Sequence, residues 1–390
     1  MGTISDYIKR NLNIQELEEE LVKLINEYNK LSNSYLFVHV SSFRKPIPDV
    51  QLNMEDYYAI FDILRDCKSN ILDFYIETPG GSGESVEEIV RFLRDKFETI
   101  NFVVSGEAKS AGTLLVLSGD AIYMTESGSL GPIDAQIKIG RTVISAYDYT
   151  EWINTKREEA EKNNKLNPAD ATMIAQISPG EFNKVYHALK FAEDLVVEWL
   201  TKYKFKNWNL TETRKIKVTE EMKKKRALEI AEELTNHAKW RTHNRSIKID
   251  DLEEFGLKIN RLDDKPELAN IIYKIQTVIR FIFSNSTTYK ILATSDTKLF
   301  KHAIRAGERI KIPKQVPNVA ELNVKCGKCG KDHKMYAKFI PDPKIDSDFK
   351  TKGFIPFPKD NKLICDCGFE IDLKGIRNNI ENQIKKRIII

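Results

Sequence analysis

Between residues 14 and 31 apolar side chains return at steps of three and four: Ile14, Leu17, Leu21, Leu24, Tyr28 and Leu31. That is the period of a helix with one buried stripe, and its early acids and late lysines suit the helix dipole. Fewer than three heptads are present, so the pattern predicts a helix lying against a folded body rather than a free coiled coil. The run YLFVHVSS then predicts a buried strand. From 55 to 140 helical and strand patterns alternate: a helix (MEDYYAIFDILRDC), a strand (ILDFYIET), a glycine-rich turn (PGGSG), a helix (ESVEEIVRFLRDKF), a strand (NFVVSG), a short helix from 110, a strand (AIYMT) and an irregular loop (ESGSLGPID). Repeated βα units predict an α/β fold, a largely parallel sheet with helices outside it and ligands at the strand-to-helix turns.

Residues 150–240 are charged and helical in period, with Pro168 and Pro179 as breaks, and predict helical decoration of that sheet. SIKIDDLEEFGLKI predicts a short acid-capped helix ending at Gly256, followed by helices over about 266–306. From about 310 the chain turns to Lys, Pro, Gly and Cys with short β runs, which predicts a separate small module. Three parts follow: an N-terminal amphipathic helix (1–34), a main domain (35–309) and a C-terminal module (310–390).

Composition narrows the class. A chain of 390 residues exceeds the roughly 100–200 of an average domain. With 41% apolar and 30% charged residues, and 61 basic against 57 acidic side chains, it reads as a folded chain and not as a disordered or strongly cationic one. No stretch approaches the roughly 20 apolar residues of a membrane span, and the start lacks a secretory h-region, so a cytoplasmic protein is expected.

Chemistry concentrates at two turns. In IETPGGSG the pair Gly80 and Gly81 leaves main-chain amides unshielded. In VVSGEAKSAGTLL, Ser110 follows a strand and opens a helix whose first turn holds Ala111 and Gly112, where the helix dipole adds positive potential. About one βα unit, roughly 30 residues, separates the turns and predicts adjacent strands at one end of the sheet. A nucleophile beside free amides is what acyl transfer needs. Each turn also has an ordinary reading, Ser110 as a helix cap and Gly-Gly as a bend.

The series TPGGSG, GEAKSAGTLL and SGSLGPIDAQI, continued through LNPADATMIAQISP, EDLVVEWLTKYKF and HAKWRTHNRSIKIDDLEEFGLKI, resembles the Clp protease/crotonase-type serine peptidases. The similarity is greatest to the serine dehydrogenase proteinases, relatives of signal peptide peptidase A, and covers roughly residues 35–300. The resemblance implies Ser110 as nucleophile and an oxyanion hole from the Gly80–Gly81 turn and Ala111. It departs at the base. Asp134 falls where the Clp subunit carries its histidine, and His243 or Asn244 falls near the position of the acid. One arrangement has His243 as base oriented by Asp134, since a triad needs geometry and not chain order. A second uses a lysine, as in the signal peptide peptidase relatives, with Lys156, Lys162 and Lys165 in or near the window, although TKREEAEKNNK reads as solvated. A third uses Lys109 beside the serine. The resemblance further implies a homo-oligomer acting on a peptide or protein substrate. With no GxxxxGK loop, any energy coupling would come from a separate ATP-dependent unfoldase or adaptor.

Four of the five cysteines form two tight pairs, Cys326 with Cys329 in CGKCG and Cys365 with Cys367 in CDCG. Two such halves predict an all-thiolate structural zinc site in a ribbon-like module, with His333 as a substitute ligand. Cys67, alone on a helix, reads as a small buried apolar residue. The lysines around the module and the run Lys223 to Arg226 read as solvated faces before they read as nucleic-acid contacts. Two other functions share these motifs: a catalytically inactive scaffold recruiting protein or nucleic acid through its zinc module, and an acyl-CoA hydratase-like enzyme using only the oxyanion hole.

Overall fold

The computed structural model describes residues 2–303 and 318–389 apart from 134, 140, 141, 212 and 385. The chain divides into a larger unit, Glu20–Ala303, and a smaller one formed by the residues up to Glu19 with the chain from 304 onward. Helix α1 (Thr3–Arg10) precedes α2 (Ile14–Ser32), in which Leu17, Leu21, Leu24, Ile25 and Tyr28 are buried while Leu31 is 44% exposed. The buried stripe therefore ends at Tyr28, one apolar position earlier than its spacing implied.

The larger unit is built on strands β1 (Tyr35–Ser41), β2 (Ile71–Glu77) and β3 (Thr99–Val104), with α3 (Met54–Leu64) and α4 (Gly83–Lys96) as crossovers. After β4 (Glu107–Ala108) come α5 (Ala111–Leu117), β5 (Ala121–Met124), β6 (Ser129–Leu130) and the hairpin β7 (Gln136–Ile139) and β8 (Thr142–Ser145). The helices α6 (Ala146–Asn163), α7 (Pro168–Ile174), α8 (Pro179–Trp199), α9 (Glu220–Thr235), α10 (His237–Trp240) and α11 (Ile249–Glu254) follow. The unit closes with β9 (Asn260–Arg261), α12 (Pro266–Asn285), β10 (Thr288–Ala293) and β11 (Lys298–His302). The seven-stranded sheet runs β11-β10-β1-β2-β3-β5-β9, parallel from β1 to β9. Residues 288–302, expected to continue the helices from 266, form the antiparallel pair β10 and β11 instead. Short apolar runs such as TYKILA do not distinguish helix from strand by period alone, and pairing with β1 decides it.

Strand β2 is buried on both faces, as a central parallel strand must be. Leu72, Phe74 and Ile76 meet Phe37, Phe102 and the inner residues of α3 and α4. On the other face Asp73 accepts from Tyr28 (2.8 Å) and Glu77 from Gln276 (3.4 Å). At the β1 edge of this core sits a charged cluster. The Lys290 Nζ donates to both carboxylate oxygens of Asp56 (2.9 and 2.8 Å) and to the Gln51 carbonyl (3.0 Å), with His39 3.4 Å from Asp56 and all three side chains fully buried. Asp56 also closes the capping box of α3 with Asn53. Burial by itself would raise the Asp56 carboxyl, but His39 and Lys290 outweigh it and hold it at about 2.

The smaller unit pairs β12 (Val319–Lys325) with β13 (Asp332–Lys338) and β14 (Ile355–Pro356), and β15 (Lys362–Ile364) with β16 (Glu370–Asp372). Helices α13 (Pro343–Thr351) and α14 (Lys374–Ile384) complete it, and Val324, Met335, Phe339, Phe357 and Leu373 form its own core. Among the described residues no helix is long and apolar enough to cross a membrane.

Removing one partner of the buried pair leaves an uncompensated charge, so Asp56→Ala is expected to cost about 3–5 kcal/mol in urea unfolding, and Asp56→Leu with Lys290→Met much less. The sign with pH follows from a carboxyl lowered by folding. Its stabilisation is complete above the unfolded value near 4 and is lost as pH falls toward 2, so the stability difference between wild type and the double variant should shrink over that window.

Candidate active site and thiolate cluster

The PGGSG turn leaves the C-terminal end of β2, and Ser110 leaves β4 alongside it, because Thr78 bridges Ala108 and their backbones exchange hydrogen bonds (Lys109 N–H to Thr78 O, 3.0 Å; Thr78 N–H to Glu107 O, 2.8 Å). The two turns then touch. Gly80 has φ +101°, and a Cβ there would lie 2.7 Å from the Ser110 Cβ and 2.8 Å from the Lys109 carbonyl. A side chain on Gly81 would run into the Leu52 backbone, which the turn engages through Leu52 N–H to Gly80 O (2.7 Å) and Ser82 N–H to Leu52 O (2.9 Å). Only glycine allows this approach.

Ser110 stands in the N-cap position of α5, yet its side chain makes no capping hydrogen bond, and its backbone takes φ +50° and ψ −118°. A non-glycine residue there is strained, and such strain persists where surrounding contacts enforce it. The Gly81 and Ala111 amides donate to no acceptor among the described residues. Ser110, Gly81 and Ala111 open together onto a cavity of about 930 Å³, whose wall also carries Gln51, Leu114, His187 and His243. The site thus combines a half-buried hydroxyl, two uncommitted N–H groups and two imidazoles around one space.

The remaining predicted residues are placed as follows. Asp134 lies outside the described residues. Asn244 lines the same cavity beside His243. Lys109 is buried and points away from it: its ammonium donates to Ser246 Oγ (2.9 Å), Leu130 O (3.2 Å), Arg245 O (3.3 Å) and Ser129 Oγ (3.4 Å), with Glu107 at 3.5 Å. Burial lowers its pKa, and Glu107 opposes that. Together with the Leu130–Ile247 bridge, these bonds hold the segment that follows His243 next to the serine turn. Lys156 pairs with Glu159 (2.9 Å) and Asp170 (3.3 Å), and neither it, Lys162 nor Lys165 lines the cavity. His187 is exposed on α8 and faces this space along with Lys184 and Lys190. No local motif marks those residues, since only the packing of α8 over α5 brings them there.

In the smaller unit the sulfurs of Cys326, Cys329, Cys365 and Cys367 all lie within 4.8 Å of one another, with Cys326–Cys367 at 3.7 Å and Cys329–Cys365 at 3.5 Å. Sulfurs about 2.3 Å from a tetrahedral ion stand close to 3.8 Å apart, so the cluster can bind a metal. Amides of Cys329 and Lys328 directed at Cys326 hold its thiol down at about 6. His333 is not in the group. Cys67 is half-buried against the main core, more accessible than its sequence context implied.

The larger unit is thus a largely parallel α/β sheet with a serine-headed helix against an open diglycine turn. Residues 43–207 match the model of the family described as ClpP-like SDH-type serine proteinase. An uncharacterized protein of Methanocaldococcus jannaschii is 28% identical over 130 residues, 32% of this chain and 45% of that protein, so less than half of the relative's length is spanned. Two solved mutant forms of 1510-N, a membrane-bound stomatin-specific protease, one of them with a substrate peptide, are 14% and 15% identical. They cover 57% and 56% of this chain and 79% and 74% of their own, with TM-scores of 0.33 and 0.32.

Metal loading should be confined to the smaller unit. Cobalt(II) is expected to give thiolate charge-transfer absorption that Cys365→Ser abolishes, and chelation should raise hydrogen exchange in 318–389 while the melting of Glu20–Ala303 stays unchanged. Joint collapse of both units would contradict this.

Proposed function

We propose that this protein is a serine endopeptidase acting through an acyl-enzyme on Ser110. The observation that carries the reading is the pair of undonated amides, Gly81 and Ala111, flanking a strained serine on one cavity wall. The match of residues 43–207 to a serine proteinase family model supports it. In this reaction Ser110 Oγ attacks the peptide carbonyl carbon, its proton passes to the His243 imidazole, and the tetrahedral oxyanion is held by the two amides with the Gly80 bend keeping them in line. His243 then protonates the leaving amine, the acyl-enzyme forms, and water reverses the sequence. Asp134 is the orienting acid in this scheme. His243 is preferred over Lys156, Lys162 and Lys165 because it shares the cavity with Ser110, and over Lys109 because that ammonium is occupied elsewhere.

The four thiolates hold a structural zinc ion, since a full thiolate set leaves no open position for water. The chain from 310 onward is a zinc-ribbon-like module separate from the peptidase domain, which assembles as a homo-oligomer through its helical decoration.

A fluorophosphonate probe tests the chemistry. Labelling is expected for the wild type and Cys326→Ala, and none for Ser110→Ala. His243→Ala should abolish labelling and Lys156→Ala should leave it intact, the reverse pattern sinking the histidine assignment. Gly81→Ala keeps the N–H but drives a Cβ into the Leu52 backbone, so the bend must shift its amide; peptide turnover should fall by about 10²–10³, the loss expected of one misplaced oxyanion donor, and an unimpaired variant would remove the placement of this bend from the mechanism.

A further inference from the structure

Beyond Trp199 the chain leaves α8 through a π-helical turn, Leu200–Lys204. Such turns are rare and concentrate at functional sites, because the wider winding re-aims the side chains that follow. Here Lys204 is delivered to the wall of a second cavity, of about 840 Å³. None of its wall residues lines the Ser110 cavity. Lys204 lies seventeen residues beyond His187 on the same helical run, about 25 Å at the usual helical rise.

Charge on this wall is unbalanced. Asp120 is the one carboxylate among the described lining residues, and it is already engaged by Arg94 (2.7 Å) and by Lys206. Arg226 pairs with Glu229 at 2.9 Å. The other three cations, Lys204, Lys258 and Arg214, have no ion pair or hydrogen bond among the described residues. Lys204 is half-buried, and its burial together with the nearby Lys258 charge lowers it to about 8, against a weaker opposing pull from Asp120. A poorly solvated ammonium facing a like charge lacks a counterion, and an anion entering the cavity would supply it. The Asn207 amide offers neutral donors beside the cations, and Trp208, packed on Phe205 at 5.6 Å, gives a flat apolar wall next to them.

We propose that this cavity is an anion site for a phosphate dianion, free or borne as a phosphomonoester, held by Lys204, Lys258 and Arg214. A multivalent oxyanion suits it better than chloride, because several separated cations and amide donors can each take a different oxygen. A phosphomonoester would lay its organic group along Trp208.

Calorimetric titration of the full-length protein with inorganic phosphate and with phenyl phosphate, at physiological chloride, tests the site. One saturable event is expected, weakened at least about tenfold in Lys204→Met and in Lys258→Met, the loss of one charge-assisted hydrogen bond, and unchanged in Lys68→Met. Tighter binding of phenyl phosphate would assign a phosphomonoester, and equal binding free phosphate. Lys204→Met removes a charge that faces a like charge and should melt no lower than wild type, while Lys258 is exposed, so lost binding reads the site and not the fold. Absence of saturable heat with both anions, or unchanged affinity in both variants, overturns the proposal.

Discussion

The site depends on a backbone contact only glycine permits. The Gly80 bend sits so close to Ser110 that the turn after β2 and the first turn of α5 act as one surface, with Gly81 and Ala111 lining the same cavity. Because the two turns come from neighbouring units of a parallel sheet, the hydrogen bonds between Thr78 and residues 107–109 set their relative height. The strain at Ser110 is held by that register, and the strain in turn keeps the hydroxyl out of the capping role its position would otherwise give it.

Two buried lysines brace this surface. Lys290, neutralised by Asp56, holds the Gln51 carbonyl, and the adjoining Leu52 pairs with the diglycine bend, so a charged cluster beside β1 reaches the diglycine turn through two hydrogen-bonded residues. Lys109 ties the serine turn to residues 129–130 and 245–246, which brings His243 to the cavity. Both charges are costly to bury and repay it by joining segments far apart in the chain. A hydrophobic residue at either place could fill space but could not hold several carbonyls at once.

Much of the architecture was legible from residue order. Alternating periods of two and 3.6 located β2, α4, β3 and α5, the glycine pair and Ser110 marked the turns, and the spacing of cysteines marked a cluster able to hold a metal, whose sulfurs lie within 4.8 Å of one another. Other features could not be read this way. TYKILA has no helical or strand signature of its own and became β10 through pairing with β1. The grouping of the first nineteen residues with the C-terminal unit has no local signal either.

Sequence alone determined which residues can do chemistry: where amides are unshielded, where a hydroxyl heads a helix, and where thiols occur in pairs. These are local properties, set by a side chain or its absence. Tertiary structure alone decided which of several histidines and lysines line the Ser110 cavity. It turned Lys109 toward Leu130 and Ser246, left Lys156 in surface ion pairs, and laid His187 and His243 along one cavity with the serine. Direction in space depends on contacts between residues more than a hundred positions apart, and no periodicity along the chain encodes it.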